Sequence, residues 1–337
     1  MRKIALLATV FGAVGFAGSA QALDEFTLQL KWVTQAQFAG YYYALEHGYY
    51  EEEGLDVTIN PGGPDVNPIQ VLIGGGADAT VEWLGNPLAT REAGTPIVNI
   101  AQIYNRSGLG LTCPVSTGIE KPEDLAGHKV GTWFFGNEYP TFAFISNLGL
   151  TYQGDNPDVE VIKVGFNVDP LLNGEVDCIT TMTYNEYYQI LQAGFAPEDL
   201  RVFQYEDYDA SVLEDGLYTL ESSIADPAMN DKLVRFVRAS IRGWADSTTD
   251  QQGAVDAVVE NDETGLSQSM DKQVYAMEQV AKLVEPGAHG VGYLDPAAFD
   301  RSVDVLLIGG GDAPVITQRP EGAYTHEIFD AAVAGLQ

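Results

Sequence analysis

The sequence predicts an α/β protein of two lobes, and three observations carry that expectation. Strand-like apolar runs alternate with amphipathic helical stretches along most of the chain. A short strand-and-helix unit occurs twice, at an offset of 99 residues. The chain, at 337 residues, is long enough to bury two separate cores.

Seven runs read as strands: Phe26–Leu30, Leu55–Ile59, Ala79–Trp83, Ile97–Ile103, Lys129–Trp133, Val159–Val164 and Cys178–Met182. The amphipathic stretches between them fit crossover helices, and hence parallel sheets. From Asn230 onward the chain is mostly helical. "DKLVRFVRASIRGWADS" places Leu233, Val234, Val237 and Ile241 on one core-facing stripe.

The repeated unit aligns "VLIGGGADATVEWLGNP" from Val71 with "PLLNGEVDCITTMTYNEY" from Pro170. Gly75 meets Gly174, Asp78 meets Asp177, Trp83 meets Met182 and Asn86 meets Asn185. Each copy reads helix, Gly cap, Asp, strand, then a polar loop opening the next helix. A second pair, at an offset of 101, ends strands in Trp32 and Trp133. Coincidence between short segments is the competing account. Read as a repeat, the units give two lobes with equivalent parts. Ligands of open α/β sheets bind beyond the carboxyl ends of the strands. Four loops would then meet in a cleft: Gln35–Phe38, Glu82–Asn86, Phe134–Tyr139 and Thr183–Tyr187.

Those loops and the strand ends feeding them carry many aromatics, among them Trp32, Trp83, Phe135 and Tyr184, interleaved with Gln35, Asn86, Asn137, Glu138, Asn185 and Glu186. Aromatic walls with a few amide and carboxylate groups suit a flat ring with polar edges. The loops contain no Arg, and Lys31 is the only cation nearby. An oxyanion pocket would be expected to show a basic group or a nest of backbone amides, so a neutral or cationic ring fits better. Core packing is the alternative role for each aromatic taken singly. Tyr41, Tyr42 and Tyr43 cannot share one helical face, because neighbours are turned by about 100°. One or two of them, Tyr41 foremost, are candidates for the cleft wall.

The first 22 residues read as a cleavable signal peptide: Arg2 and Lys3, an apolar stretch from Ile4 to Ala17, then Ser19-Ala20-Gln21-Ala22. No Cys follows the expected cleavage site, so no lipid anchor is expected, and the periplasm is the expected compartment. Two cysteines, Cys113 and Cys178, do not make a disulfide scaffold. One disulfide is open to them, but unpaired, buried cysteines are the expectation. A formal charge of −31, spread along the chain, disfavours nucleic acid and anionic membranes. The four histidines are scattered, and no nucleophile elbow, phosphate-binding Lys loop or Ca²⁺ loop occurs. "IGGGAD" and "GGGDAP" read as turns and caps. Neither catalysis nor a cofactor or metal is expected.

The opening "LKWVTQAQFAGYYYALEHGYYEEEGLDVTINPGG" resembles that of the periplasmic solute-binding proteins of ABC importers in the SsuA/Thi5-like group, which includes binders of thiamine-pyrimidine precursors, sulfonates and taurine. Matching positions are Trp32, Gln35, Gly40 to Ala44, and Gly48 through Gly54-Leu55-Asp56-Val57. "KPEDLAGHKVGTW" and "LLNGEVDCITT" are similar to two later segments of the group. The resemblance runs from about Phe26 to Trp244. It implies a type II periplasmic-binding fold, two α/β lobes with a hinge and an interlobe ligand cleft. Lobe one would hold residues 23–111 and 208–337, and lobe two 112–207. "FFGNEYP" and "TYNEYY" are most similar to the pyrimidine-binding branch, whose pattern falls on Trp32, Asn86, Phe135, Glu138, Tyr184 and Glu186. Where that branch carries Asn-x-Asn-His, this chain has Gln35-Ala36-Gln37-Phe38. The Cys-rich cluster of the fungal pyrimidine synthases is missing. The implied protein is a monomeric binding component that hands a small aromatic heterocycle, a thiamine pyrimidine precursor, to a permease and an ATPase. A flavin is the next ligand, then a sulfonate or nitrate; a secreted enzyme on the same scaffold is the alternative of a different class.

Overall fold

The computed structural model describes residues 22–134, 136–263, 265, 269–284, 286–308 and 314–336. All but the last residue of the expected leader, the site candidate Phe135, and most of "GGGDAP" lie outside the described residues.

Among the described residues, ten strands form two five-stranded mixed sheets. The first contains β1 (Asp24–Gln29), β2 (Leu55–Asn60), β3 (Ala79–Glu82), β4 (Ile97–Gln102) and β10 (Gly216–Leu220), in the order β2-β1-β3-β10-β4. The second contains β5 (Leu109–Pro114), β6 (Lys129–Thr132), β7 (Glu160–Lys163), β8 (Cys178–Met182) and β9 (Leu200–Gln204), in the order β7-β6-β8-β5-β9. In each, three parallel strands are followed by one antiparallel strand that arrives from the other lobe: β10 in the first sheet, β5 in the second. The chain therefore crosses between lobes twice, at residues 103–108 and 205–215. The expected boundary at 111/112 falls inside β5, which pairs wholly in the second sheet and moves the first crossing a few residues earlier.

The internal echo has a structural counterpart. The Asp78 carboxylate accepts from the Thr27 N–H of β1 at 2.8 Å, while the Asp78 N–H donates to the Thr27 carbonyl at 2.9 Å. Asp177 does the same with Lys129 of β6, at 2.8 and 2.9 Å. Each Asp ties the start of one strand to its neighbour, which explains its place after the Gly turn.

The expected long helix forms over Pro227–Thr249, with the Asp226 side chain accepting from the Ala228 and Met229 N–H groups at 2.8 and 3.0 Å. It crosses the tyrosine helix Ala39–Glu46. A Cβ on Gly243 would stand 2.3 Å from the Gly40 carbonyl oxygen, and one on Gly40 would stand 2.1 Å from the Trp244 ring. Only glycines allow that approach. The three tyrosines diverge as helical geometry demands. Tyr41 packs edge-on against Trp244 at 5.4 Å and stacks with Phe236 at 6.5 Å. Tyr42 bonds the Thr34 hydroxyl at 2.9 Å, and Tyr43 donates to Asp250 at 3.2 Å.

The cysteines depart from expectation: Cys113 and Cys178 form a disulfide. The physical reason is β5, which the sequence reading does not include. Its antiparallel register pairs Thr112 with Ile179, which sets Cys113 opposite Cys178 with Cα atoms 4.3 Å apart.

Candidate functional site

Between the lobes lies a cleft of about 540 Å³, within the usual size of small-molecule sites. The carboxyl ends of four parallel strands supply its walls. Beyond β1 stand Lys31 and Trp32; β3 ends in Glu82 and leads to Trp83; β6 leads to Trp133; β8 ends in Met182 and leads to Tyr184. The four anticipated loops meet here.

Of the anticipated residues, Trp32, Gln35, Asn86, Asn137, Tyr184, Asn185 and Glu186 line the cleft. Tyr41 does not: it is fully buried in the lobe-one core, because its turn of the helix faces the long helix. Glu138 is also outside the lining; its carboxylate folds back to accept from the Gly136 N–H at 2.8 Å. Burial raises its pKa, opposed by backbone hydrogen bonds from its own loop and more weakly by Lys163. Sequence reasoning missed Phe166 and the loop 63–68 as cleft walls, and Asp215 behind the cleft. Phe166 sits in a short loop after β7 with no periodic signal, and Asp215 is one of 48 acidic residues.

Aromatic contact spans the lobes. Phe166 of lobe two lies 4.4 Å from the Trp32 ring of lobe one and stacks with Trp133 of its own lobe at 5.9 Å. Deeper in, Tyr184 meets Tyr104 of the first crossover edge-on at 6.3 Å.

The polar floor is acidic. Lys31, the one basic side chain on the cleft wall among the described residues, pairs with buried Glu82 and lies over the Trp83 ring at 4.8 Å. Glu82 also accepts the Trp83 N–H at 2.9 Å. Asp215 accepts the Trp83 indole N–H at 2.9 Å and the Gln37 amide at 2.8 Å. Burial pushes Asp215 up to about 7, against the pull of the Gln37 bond and Lys31. Glu186 accepts from the Met182 N–H at 3.0 Å and the Asn185 amide at 2.7 Å. Burial pushes it up to about 7 as well. Nearby Lys272, itself buried, is pushed down to about 8, with the Glu186 charge acting in the opposite direction. At the second crossover Glu214 accepts from the Ser107 hydroxyl and, at 3.1 Å, from the Gly108 N–H. Burial pushes it up to about 8. Among the described residues no cluster of His, Cys, Asp and Glu could hold a metal ion, and no helix is long and apolar enough to cross a membrane.

Residues 35–254 match the model of the family described as NMT1/THI5 like. A formylaminopyrimidine-binding protein of Halalkalibacterium halodurans is 25% identical over 253 residues, covering 71% of this chain and 72% of its own. Riboflavin-binding protein RibY of Chloroflexus aurantiacus is 26% identical over 322 residues, 90% of this chain and 86% of its own. A 4-amino-5-hydroxymethyl-2-methylpyrimidine phosphate synthase of Schizosaccharomyces pombe is 27% identical over 157 residues, 46% of this chain and 44% of its own. In three dimensions the periplasmic sulfonate-binding protein SsuA of Methylobacillus flagellatus superposes with a TM-score of 0.66 at 13% identity, covering 94% of this chain and 96% of its own. The two lobes thus have the type II periplasmic-binding architecture.

Proposed function

Since the chain belongs to the NMT1/THI5-like family, we propose that it is the exported, periplasmic binding component of an ABC importer and captures a small aromatic heterocycle, a pyrimidine precursor of thiamine. The observation that carries this reading is the chemistry of the cleft. Aromatic faces from both lobes suit a flat ring, and the acidic floor suits ring-edge donors. Lys31, the one cation on the wall among the described residues, is already paired with Glu82, which leaves little to attract sulfonate or nitrate. A permease and an ATPase are the partners this function requires, and the binding component acts as a monomer.

A flavin is the second reading, favoured by the likeness to RibY over most of both chains. Thermal-shift titration with 4-amino-5-hydroxymethyl-2-methylpyrimidine, riboflavin and taurine separates the readings. A ligand at a hundredfold excess over Kd stabilises the fold by about 2.7 kcal/mol. The pyrimidine is expected to give the largest shift and taurine none. A shift with taurine alone would overturn the ligand class. Chemical turnover of the pyrimidine, followed by mass spectrometry, would favour an enzyme instead.

A further inference from the structure

Gln35, Gln37, Asp215 and Trp83 form a chain of hydrogen bonds whose direction is fixed at one end. The Trp83 indole nitrogen can only donate, and it donates to one Asp215 oxygen at 2.9 Å. Above pH 7, where Asp215 is ionised, its carboxylate only accepts, so Gln37 turns its amide nitrogen toward the other oxygen, at 2.8 Å. That leaves the Gln37 carbonyl oxygen facing Gln35, whose amide nitrogen donates to it at 2.7 Å. One N–H of the Gln35 amide is thereby engaged, which fixes the amide's orientation and places its carbonyl oxygen on the side away from Gln37, open to a ligand. All four side chains are buried, with Gln35 and Gln37 only 5% and 4% exposed, so water does little to relax the arrangement.

We infer that Asp215 is a specificity-determining residue that acts at a distance: through Gln37 it orients Gln35 so that the cleft presents a hydrogen-bond acceptor there, selecting rings with an N–H donor over rings with a carbonyl at that edge. The inference rests on the heterocycle reading for its ligands, but the relay itself is independent of it. Asp215 is a positioning residue, since it lies behind Gln37 rather than on the cleft wall.

Asp215→Asn changes the logic without changing the shape. Asn tolerates the left-handed backbone found at this position, φ 47°, as Asp does. Its single oxygen remains with the Trp83 N–H, so its amide nitrogen faces Gln37. Gln37 relieves the clash of two donors by flipping, and Gln35 flips in turn. The cleft then presents a donor. Gln37→Leu cuts the relay instead and leaves Gln35 free to turn either way.

The test has a ligand-free and a ligand-bound arm, both at pH 8. In the first, hydrogen exchange of the Gln35 side-chain amide is followed by ¹⁵N NMR. Exchange should be at least tenfold faster in Asp215→Asn, where that amide faces the cleft. In the second, calorimetry compares 4-amino-5-hydroxymethyl-2-methylpyrimidine with its 4-oxo analogue. The wild type should prefer the amine; Asp215→Asn should shift the preference at least tenfold toward the oxo ring, and Gln37→Leu should flatten it. Unchanged exchange in a folded Asp215→Asn variant overturns the relay, whatever binds. Faster exchange with neither pyrimidine binding the wild type leaves the relay standing and removes the ligand class. Faster exchange with an unshifted preference overturns the role in specificity.

Discussion

Phe166→Ala should loosen the closed state of the lobes, by an amount that follows from where its ring sits. Full burial of a Phe side chain is worth roughly 1.5–3 kcal/mol, and Phe166 remains 40% exposed, so about 1–2 kcal/mol is at stake. Part of that belongs to the Trp133 stack, which lies within lobe two and persists when the lobes separate. The Trp32 contact at 4.4 Å is the interlobe share, about 1 kcal/mol, matching the usual worth of an aromatic pair. A loss of that size multiplies the open-to-closed ratio by about five. The affinity for the preferred ring should fall by a similar factor, mostly through faster dissociation. Stopped-flow tryptophan fluorescence reads the rate, and small-angle scattering of the ligand-bound protein reads the opening as a larger radius of gyration. Phe166→Tyr, which keeps the ring, should behave like wild type. Dissociation and scattering both unchanged in Phe166→Ala would refute the assignment of this contact to closure.

Three further outcomes are expected. Replacing Cys113 and Cys178 together by Ala frees a loop spanning 65 positions and should cost about 4 kcal/mol, seen as a lower urea midpoint; an unchanged midpoint would count against the bond. Burial holds Glu186 and Asp215 up to about 7 and Glu214 up to about 8, above the value near 4 that carboxyls have in an unfolded chain. The folded protein therefore binds protons that the unfolded chain has released, and urea titrations should show stability falling as pH rises from about 5 to 8. Glu186→Gln offers one acceptor where the Met182 N–H and the Asn185 amide use two, so the loop after β8 should lose its shape and pyrimidine binding should weaken at least tenfold by calorimetry.

The parallel strands were legible because each is a short apolar run closed by Gly, Asp or Pro signals, a local property. The antiparallel strands β5 and β10 were not, and among the parallel ones β9 was the exception. β5 reads "LGLTCP" and β10 reads "GLYTL", short stretches that become strands only when the chain crosses into the other lobe and finds partners far away in sequence. Missing β5 meant missing its register, and with it the disulfide. At the cleft, Trp32, Tyr184 and Asn86 were visible because strand ends and the internal echo mark them. Phe166 follows β7 in a loop with no periodicity, and Asp215 sits in "LEDGLY", a short segment with no periodic signal. Its burial is created by the crossover alone, a tertiary fact no local pattern carries.

The division of labour in the cleft follows from lobe membership. Gln35, Gln37 and Trp83 lie on segments anchored to the sheet of lobe one, and Asp215, the last residue of the second crossover, is bonded to two of them, so a rotation about the crossovers would keep the four together. The acceptor at Gln35 is then already oriented when the cleft is open, and reading the ring edge costs no ordering at the moment of capture. Trp133, Phe166 and Tyr184 belong to lobe two, and under the proposed function they would reach the ligand on closure, as Phe166 reaches Trp32 of lobe one. On the proposed function, selection would reside in lobe one and retention in lobe two. Neighbouring residues at the second crossover serve both ends. Glu214 fastens the first crossover through Ser107 and Gly108, while Asp215 turns toward the cleft. Because selection and closure use separate contacts, the effects of Asp215→Asn on ring preference and of Phe166→Ala on dissociation should add in the double variant to within about 0.5 kcal/mol. A larger coupling would mean that the relay is assembled by closure instead of preceding it.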